Sequence, residues 1–271
     1  METKTDWDDE VNIEVEKRFT SWVKDLVYLA DVKVKRWLRD SSAVGKWSIH
    51  TFCDASESAY ATAIFLRVET ENGVSVQLIQ AKTRVAPVKY VTVPRLELLG
   101  ALIGARLYNS MRDFLPSDCE SYFWSDSTTV LAWIHRDEQW APFVRNRVAE
   151  IRSITQPDQW NHVPGALNPA DLPSRGCSAK QLMQSSWWEG PEWLRQPEDV
   201  WPSHEPIYNE EAITKERLKK TTLMVNQSSE VSLDWYYKYF LSYEKTIRGT
   251  WTKSEVNPTW LTWWECVKFA H

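Results

Sequence analysis

The chain has 271 residues, a formal net charge of −5, 43% hydrophobic and 25% charged residues, which suits a packed core and excludes an intrinsically disordered chain. The length admits one large domain, or a medium one with substantial arms. No run of about 18 apolar residues occurs, and the acidic start METKTDWDDE has neither half of a signal peptide, so no membrane is expected as a partner and the expected location is intracellular.

Cys53, Cys119, Cys177 and Cys266 stand far apart with no C-x-x-C pair, a pattern of reduced packing thiols rather than of a disulfide framework or zinc knuckle. The net acidity is not that of a strongly basic nucleic-acid-binding chain. A carboxylate-rich metal site can nevertheless coexist with a local basic stripe, because phosphate attraction is short-ranged at physiological salt.

Three regions follow along the chain. Residues 1–45 form an arm in which Phe19, Val23, Leu26 and Val27 recur at helical spacing. Residues 46–180 alternate strand-like and helical patterns. Residues 181–271 are a Trp-rich extension or linker, with SSWWEGPEWLRQPEDVWP followed by a basic cluster at Lys215, Arg217, Lys219 and Lys220.

In the middle region, WSIHTFCDAS predicts a strand ending at Asp54 and Ala55. YATAIFLRVE and VSVQLIQAKT flank Asn72-Gly73, a hairpin signal because both residues tolerate positive φ. VPRLELLGALIGARLYNSM changes to helical period: Pro94 suits the first helical position and Leu96, Leu99, Ile103 and Leu107 form a stripe. SYFWSD predicts a fourth strand, TTVLAWI and APFVRNRVAEIRSI two helices, and QWNHVPG a fifth strand. In GALNPADLPSRG, Asn168 suits an N-cap, Pro169 the first helical position, and Asp171 the first turn, where the helix dipole favours a carboxylate.

Four carboxylates therefore stand at element ends: Asp54 closing the first strand, Glu97 in the first turn of the first long helix, Asp126 closing the fourth strand, and Asp171 at the last turn. Parallel pairing of the first and fourth strands would bring Asp54 and Asp126 together at their carboxyl ends. Any one such residue is more often a cap or a solvated side chain than a ligand. Together the four supply the hard oxygen donors that a pair of Mg²⁺ ions requires for in-line phosphoryl displacement.

FCDASESAYATAIF, PRLELLGALIGARL, FWSDSTTVLAWI and HVPGALNPADLPSRG closely resemble the ribonuclease H segment of Bel/Pao long-terminal-repeat retrotransposon polyproteins. The resemblance spans about residues 47–180, with residues 1–45 similar to the end of the reverse transcriptase connection. It implies an α/β fold, a ribonuclease H-like five-stranded mixed sheet flanked by helices, with N- and C-terminal extensions. It further implies that Asp54, Glu97, Asp126 and Asp171 are catalytic and bind two Mg²⁺, with Mn²⁺ an alternative, and that the RNA strand of an RNA–DNA hybrid is cut to leave a 5′-phosphate and a 3′-hydroxyl. The reverse transcriptase region of the same polyprotein is the implied partner, and a cytoplasmic particle with possible nuclear access the implied location.

Cellular ribonucleases H carry a His just after the Gly of the last loop. Ala166 stands there in this chain, and His162 reads as a strand residue. The order Asp, Glu, Asp, Asp differs from the Asp, Asp, Glu of integrases, and Ser56 occupies the position where related exonucleases place a second acid. A non-catalytic nucleic-acid-binding or scaffolding module is the alternative reading.

Ser56, Arg95, Asn168 and Arg175 lie beside the acidic motifs and are the candidate nucleic-acid contacts, since telling RNA from DNA needs groups that reach 2′-hydroxyls and phosphates. Lys82, Arg84 and Lys89 read equally as a phosphate contact or a charge-protected strand edge. Trp187, Trp188 and Trp193 read better as packing residues than as nucleobase platforms.

Overall fold

A computed structural model describes residues 10–30, 32–33, 45–202 and 207–218. Lys219, Lys220 and Cys266 lie outside these residues.

The expected five-stranded mixed sheet is present. Its strands are β1 (Lys46–Ala55), β2 (Ala59–Thr70), β3 (Gly73–Val85), β4 (Glu120–Ser125) and β5 (Trp160–His162), in the spatial order β3-β2-β1-β4-β5. The three N-terminal strands pair antiparallel, while β1–β4 and β4–β5 pair parallel. The hairpin turns through Glu71 and Asn72, with only Gly73 at positive φ, 125°; Asn72 does not use the left-handed conformation that the sequence offers it.

The helices are α1 (Ile13–Asp25), α2 (Val93–Asn109), α3 (Thr128–His135), α4 (Pro142–Ile154), α5 (Asp171–Arg175), α6 (Ala179–Gln184) and α7 (Glu210–Thr214). Pro94 sits second in α2 rather than first, because Thr92 is the N-cap. Glu97 accordingly lies in the second turn.

The buried face of α2 is also not the expected Leu stripe. Leu98, Ala101, Leu102 and Ala105 carry it, with Leu96 and Leu107, whereas Leu99 and Ile103 stay half-exposed. Small residues win this face because α2 lies almost on the sheet. A Cβ at Gly100 would stand 2.9 Å from the Asp54 carbonyl oxygen, and one at Gly104 2.6 Å from Cys53 Sγ.

Strand alternation sorts the core into two layers. Cys53 and Phe123 face α2, α3 and α4, together with Val130, Trp133, Val144 and Ile151. Phe52 and Trp124, one residue away on the same strands, face the other side with Phe65, Leu194 and Trp201.

The aromatic segment covers that second face. Trp187 and Trp193 pack against the cluster, the Leu78 amide donates to the Trp188 carbonyl (3.2 Å), and the buried Arg67 donates from Nε to the Leu194 carbonyl (2.8 Å) while lying over the Trp201 ring. Further on, Ile213 of α7 is fully buried among the residues of α3 and α4.

Candidate active site

The site is built on the parallel β1–β4 pair. Cys53 is in register with Ser125, so the next residues, Asp54 and Asp126, emerge side by side at the carboxyl ends of adjacent strands, where open α/β sheets place their sites. Asp54 is 4% exposed. The tight seat of Gly100 against the Asp54 carbonyl brings Glu97, one turn earlier on α2, over the same strand ends.

Glu97 is oriented from the far side. Ser127 caps α3, accepting from the Val130 amide (3.2 Å), and its hydroxyl donates to Glu97 Oε2 (2.5 Å). A fixed helix start thus sets the carboxylate of another helix.

The fourth carboxylate arrives on the turn before α5. Asn168 is 4% exposed. Its Nδ2 donates to the Cys53 carbonyl (3.0 Å) and its Oδ1 accepts from the Ala170 amide (3.1 Å). The turn is thereby pinned to β1, and the helix proper starts at Asp171 rather than at Pro169. Pro173 sits inside the first turn, where its missing N–H costs nothing, and the helix runs on to Arg175, ending at Gly176 with φ 79°. Ser174 donates its hydroxyl to Asp54 Oδ2, and Arg175 pairs with Asp171 four residues earlier.

Gathering acids in a desolvated cleft raises their proton affinity. Burial pushes Glu97 up to about 7, with the Asp126 and Asp54 charges adding to it and the Ser127 hydrogen bond opposing. Burial, then the Asp54 charge, pushes Asp126 up to about 6. Asp54 is raised by burial, against the Ser174 hydrogen bond, and further by Asp171. Each of the four carboxylates thus acts on, or is acted on by, at least one of the others, so the structure brings the four expected residues together.

Among the described residues no three His, Cys, Asp or Glu side chains close into a ready ion cage. Asp54, Glu97 and Asp171 instead turn toward Ser174, Ser127 and Arg175. Asp126 feels the Asn168 side chain and its own backbone amide, yet its Oδ1 is buried without a hydrogen-bond partner. An orphaned carboxylate oxygen among mutually repelling carboxylates has the donor type and charge that suit a hard divalent cation.

The four candidate nucleic-acid contacts all make internal bonds. Ser56 donates to the Ser174 carbonyl (2.6 Å), Asn168 holds the turn, Arg175 pairs with Asp171, and Arg95 makes a two-pronged ion pair with Glu216 (2.6 and 3.0 Å). Lys82, Arg84 and Lys89 are exposed on edge strand β3 and the loop after it. His162 lies in β5 beside Ser125.

The orienting hydroxyls of Ser127 and Ser174 were not among the expected site residues. Ser127 carries a signal, since a Ser before an apolar helical run marks an N-cap. Ser174 carries none, its partner lying 120 positions away.

The solved structures to which the chain is similar include ribonucleases H. The RNase H1 of the halophilic archaeon Halobacterium salinarum is 15% identical over 52% of this chain and 100% of its own, with a TM-score of 0.31. An RNase H1 solved in complex with an RNA/DNA hybrid is 17% identical over 51% of this chain and 99% of its own, with a TM-score of 0.34. The N-terminal RNase H domain of a Mycobacterium tuberculosis protein is 14% identical over 52% and 99%, with a TM-score of 0.33. No curated protein matches the chain. The family model of the Pao retrotransposon-like RNaseH-like domain matches residues 1–127, a span that holds Asp54, Glu97 and Asp126 and stops before Asp171. Over residues 1–127, the chain is similar to the Pao retrotransposon-like, RNaseH-like domain family.

Proposed function

We propose that this protein is a metal-dependent endonuclease that hydrolyses the RNA strand of RNA–DNA hybrids during retrotransposon reverse transcription, acting inside the cell beside the reverse transcriptase region of the same polyprotein. The observation that carries the reading is the parallel register of Cys53 with Ser125, which sets Asp54 and Asp126 together, with the Asp126 Oδ1 buried and unpartnered.

Asp54, Glu97, Asp126 and Asp171 would hold the divalent ions, two Mg²⁺ or Mn²⁺. When bound, such ions lower the pKa of a water and neutralise charge on the phosphoryl oxygens. The chain's own residues do the positioning. Ser127 keeps Glu97 turned toward the strand ends, Asn168 anchors the Asp171 turn to β1, and Ser174 stabilises the ionised form of Asp54. Raised proton affinity at Glu97 and Asp126 means that the metal-free site takes up protons near neutrality, so metal binding is coupled to proton release.

The test is cleavage of an end-labelled RNA–DNA hybrid by the full chain in Mg²⁺ or Mn²⁺, with Asp126→Asn as the control. The expected result is cleavage by the wild type and none by the variant, with hybrid binding retained by both. A hybrid that stays intact at saturating enzyme would overturn the nuclease reading and leave a non-catalytic binding module.

A further inference from the structure

A second feature lies along the contact between α2 and α4. Phe143, at the start of α4, has two guanidiniums over its ring: Arg147 with Cζ 3.6 Å from the centroid and Arg95 with Cζ 4.8 Å away. Arg106 stands farther along α2. It is eleven positions beyond Arg95, about 16 Å of helix, and close enough to Arg147 to act on its charge.

The outer two cations already hold planar oxyanions in two-pronged fashion. Arg95 grips Glu216 (2.6 and 3.0 Å) and Arg106 grips Glu150 (2.5 and 2.9 Å). The middle one does not. Arg147 donates Nη1 to the Phe143 carbonyl (2.9 Å), yet among the described residues its Nε is buried with no hydrogen-bond partner. Three cations thus face two carboxylates. Burial, and then the charges of Arg106 and Arg95, hold the Arg147 guanidinium below the ordinary arginine value; a ligand that brings negative charge relieves this.

The clamp on Arg95 comes from a docked strap. The Ala141 amide donates to the Glu216 carbonyl (2.7 Å), the Leu218 amide to the Gln139 carbonyl (2.8 Å), and Arg136 pairs with Glu210. Glu216 is the strap's own side chain, 13% exposed, on a cation two residues from Glu97. Guanidiniums match phosphate in the same forked geometry that they use for carboxylate.

We propose that Arg95 and Arg147, gathered about Phe143, and Arg106 farther along α2 form a phosphate-binding row for the backbone of a bound hybrid strand, and that the Glu216 carboxylate is its internal occupant in the free protein. The choice of a hybrid as ligand rests on the proposed function; the anion site itself rests on the arginine geometry.

The test measures the affinity of the full chain, in an Asp126→Asn background, for a fluorescent RNA–DNA hybrid across a salt series. Arg147→Gln is expected to weaken binding about eightfold near 0.1 M salt, with the loss vanishing near 1 M, and to lower the slope of log affinity against log salt by about one. Arg147→Lys keeps the slope, and Glu216→Gln tightens binding by freeing Arg95. An unchanged slope in a folded Arg147→Gln variant overturns the phosphate row, and unchanged or weaker binding by Glu216→Gln overturns the role of the strap. The two readings fail separately: a wild type that cuts beside an Arg147→Gln variant with normal slope sinks only the row, whereas a wild type that never cuts beside a lowered slope sinks only the nuclease.

Discussion

Glu97→Gln is expected to stabilise the metal-free protein at alkaline pH. Glu97 ionises near 4.5 when solvated but near 7 in the fold, because burial and the Asp126 and Asp54 charges disfavour the carboxylate. Between these values the folded chain binds a proton that the unfolded chain has released, so the contribution of this residue to stability is full below pH 4.5 and is lost as pH rises through 7. At pH 8 the ionised side chain costs about 3 kcal/mol.

Gln is neutral at every pH and can still accept the Ser127 hydroxyl through its amide oxygen. In the presence of a chelator at pH 8 the variant should therefore melt roughly 6–12 °C above the wild type, and the two should coincide below pH 4.5. Scanning calorimetry at both pH values measures this. Mg²⁺ at pH 8 should raise the melting temperature of the wild type more than that of Glu97→Gln. A variant that is destabilised at pH 8, or shifted equally at both pH values, would show that burial and the neighbouring charges do not strain this carboxylate.

Ser174→Ala removes the hydrogen bond that lowers the proton affinity of Asp54; the acidic limb of the pH profile for hybrid cleavage should move to higher pH, while an unmoved limb would show that Asp54 does not titrate in that range. Gly100→Ala sets a methyl 2.9 Å from the Asp54 carbonyl, against backbone that cannot rotate away. Denaturant unfolding should then show a loss of about 1–3 kcal/mol, and cleavage should fall further than stability alone explains; wild-type values for both would mean that α2 is not seated as closely as described.

Much of the site was legible because its carboxylates sit at element ends, where local chemistry sets structure. A strand ending in Cys53-Asp54 and another ending in Ser125-Asp126 need only parallel pairing to converge. The face of α2 was misread for a physical reason. Leucines dominate a hydropathy pattern, yet Gly100 and Gly104 decide which side can approach the sheet. Arg95 looked available because nothing within its own segment binds it, and Glu216 lies 121 positions downstream. The aromatic segment has no period to read, since it folds as short 3-10 turns at Glu192–Arg195 and Glu198–Val200, whose order comes from the surface beneath them.

That late arrival of the second aromatic layer affects how the domain assembles. The sheet rings of Phe52, Phe65 and Trp124 emerge during synthesis well before Leu194 and Trp201, the residues that shield them. Until then a nascent chain carries a half-wet sheet, and closure waits on contacts that bridge more than a hundred positions, such as Arg67 to the Leu194 carbonyl. Such long loops slow folding and lengthen the interval in which the bare face can meet another molecule. An expression fragment ending at residue 180 would stay in that condition permanently.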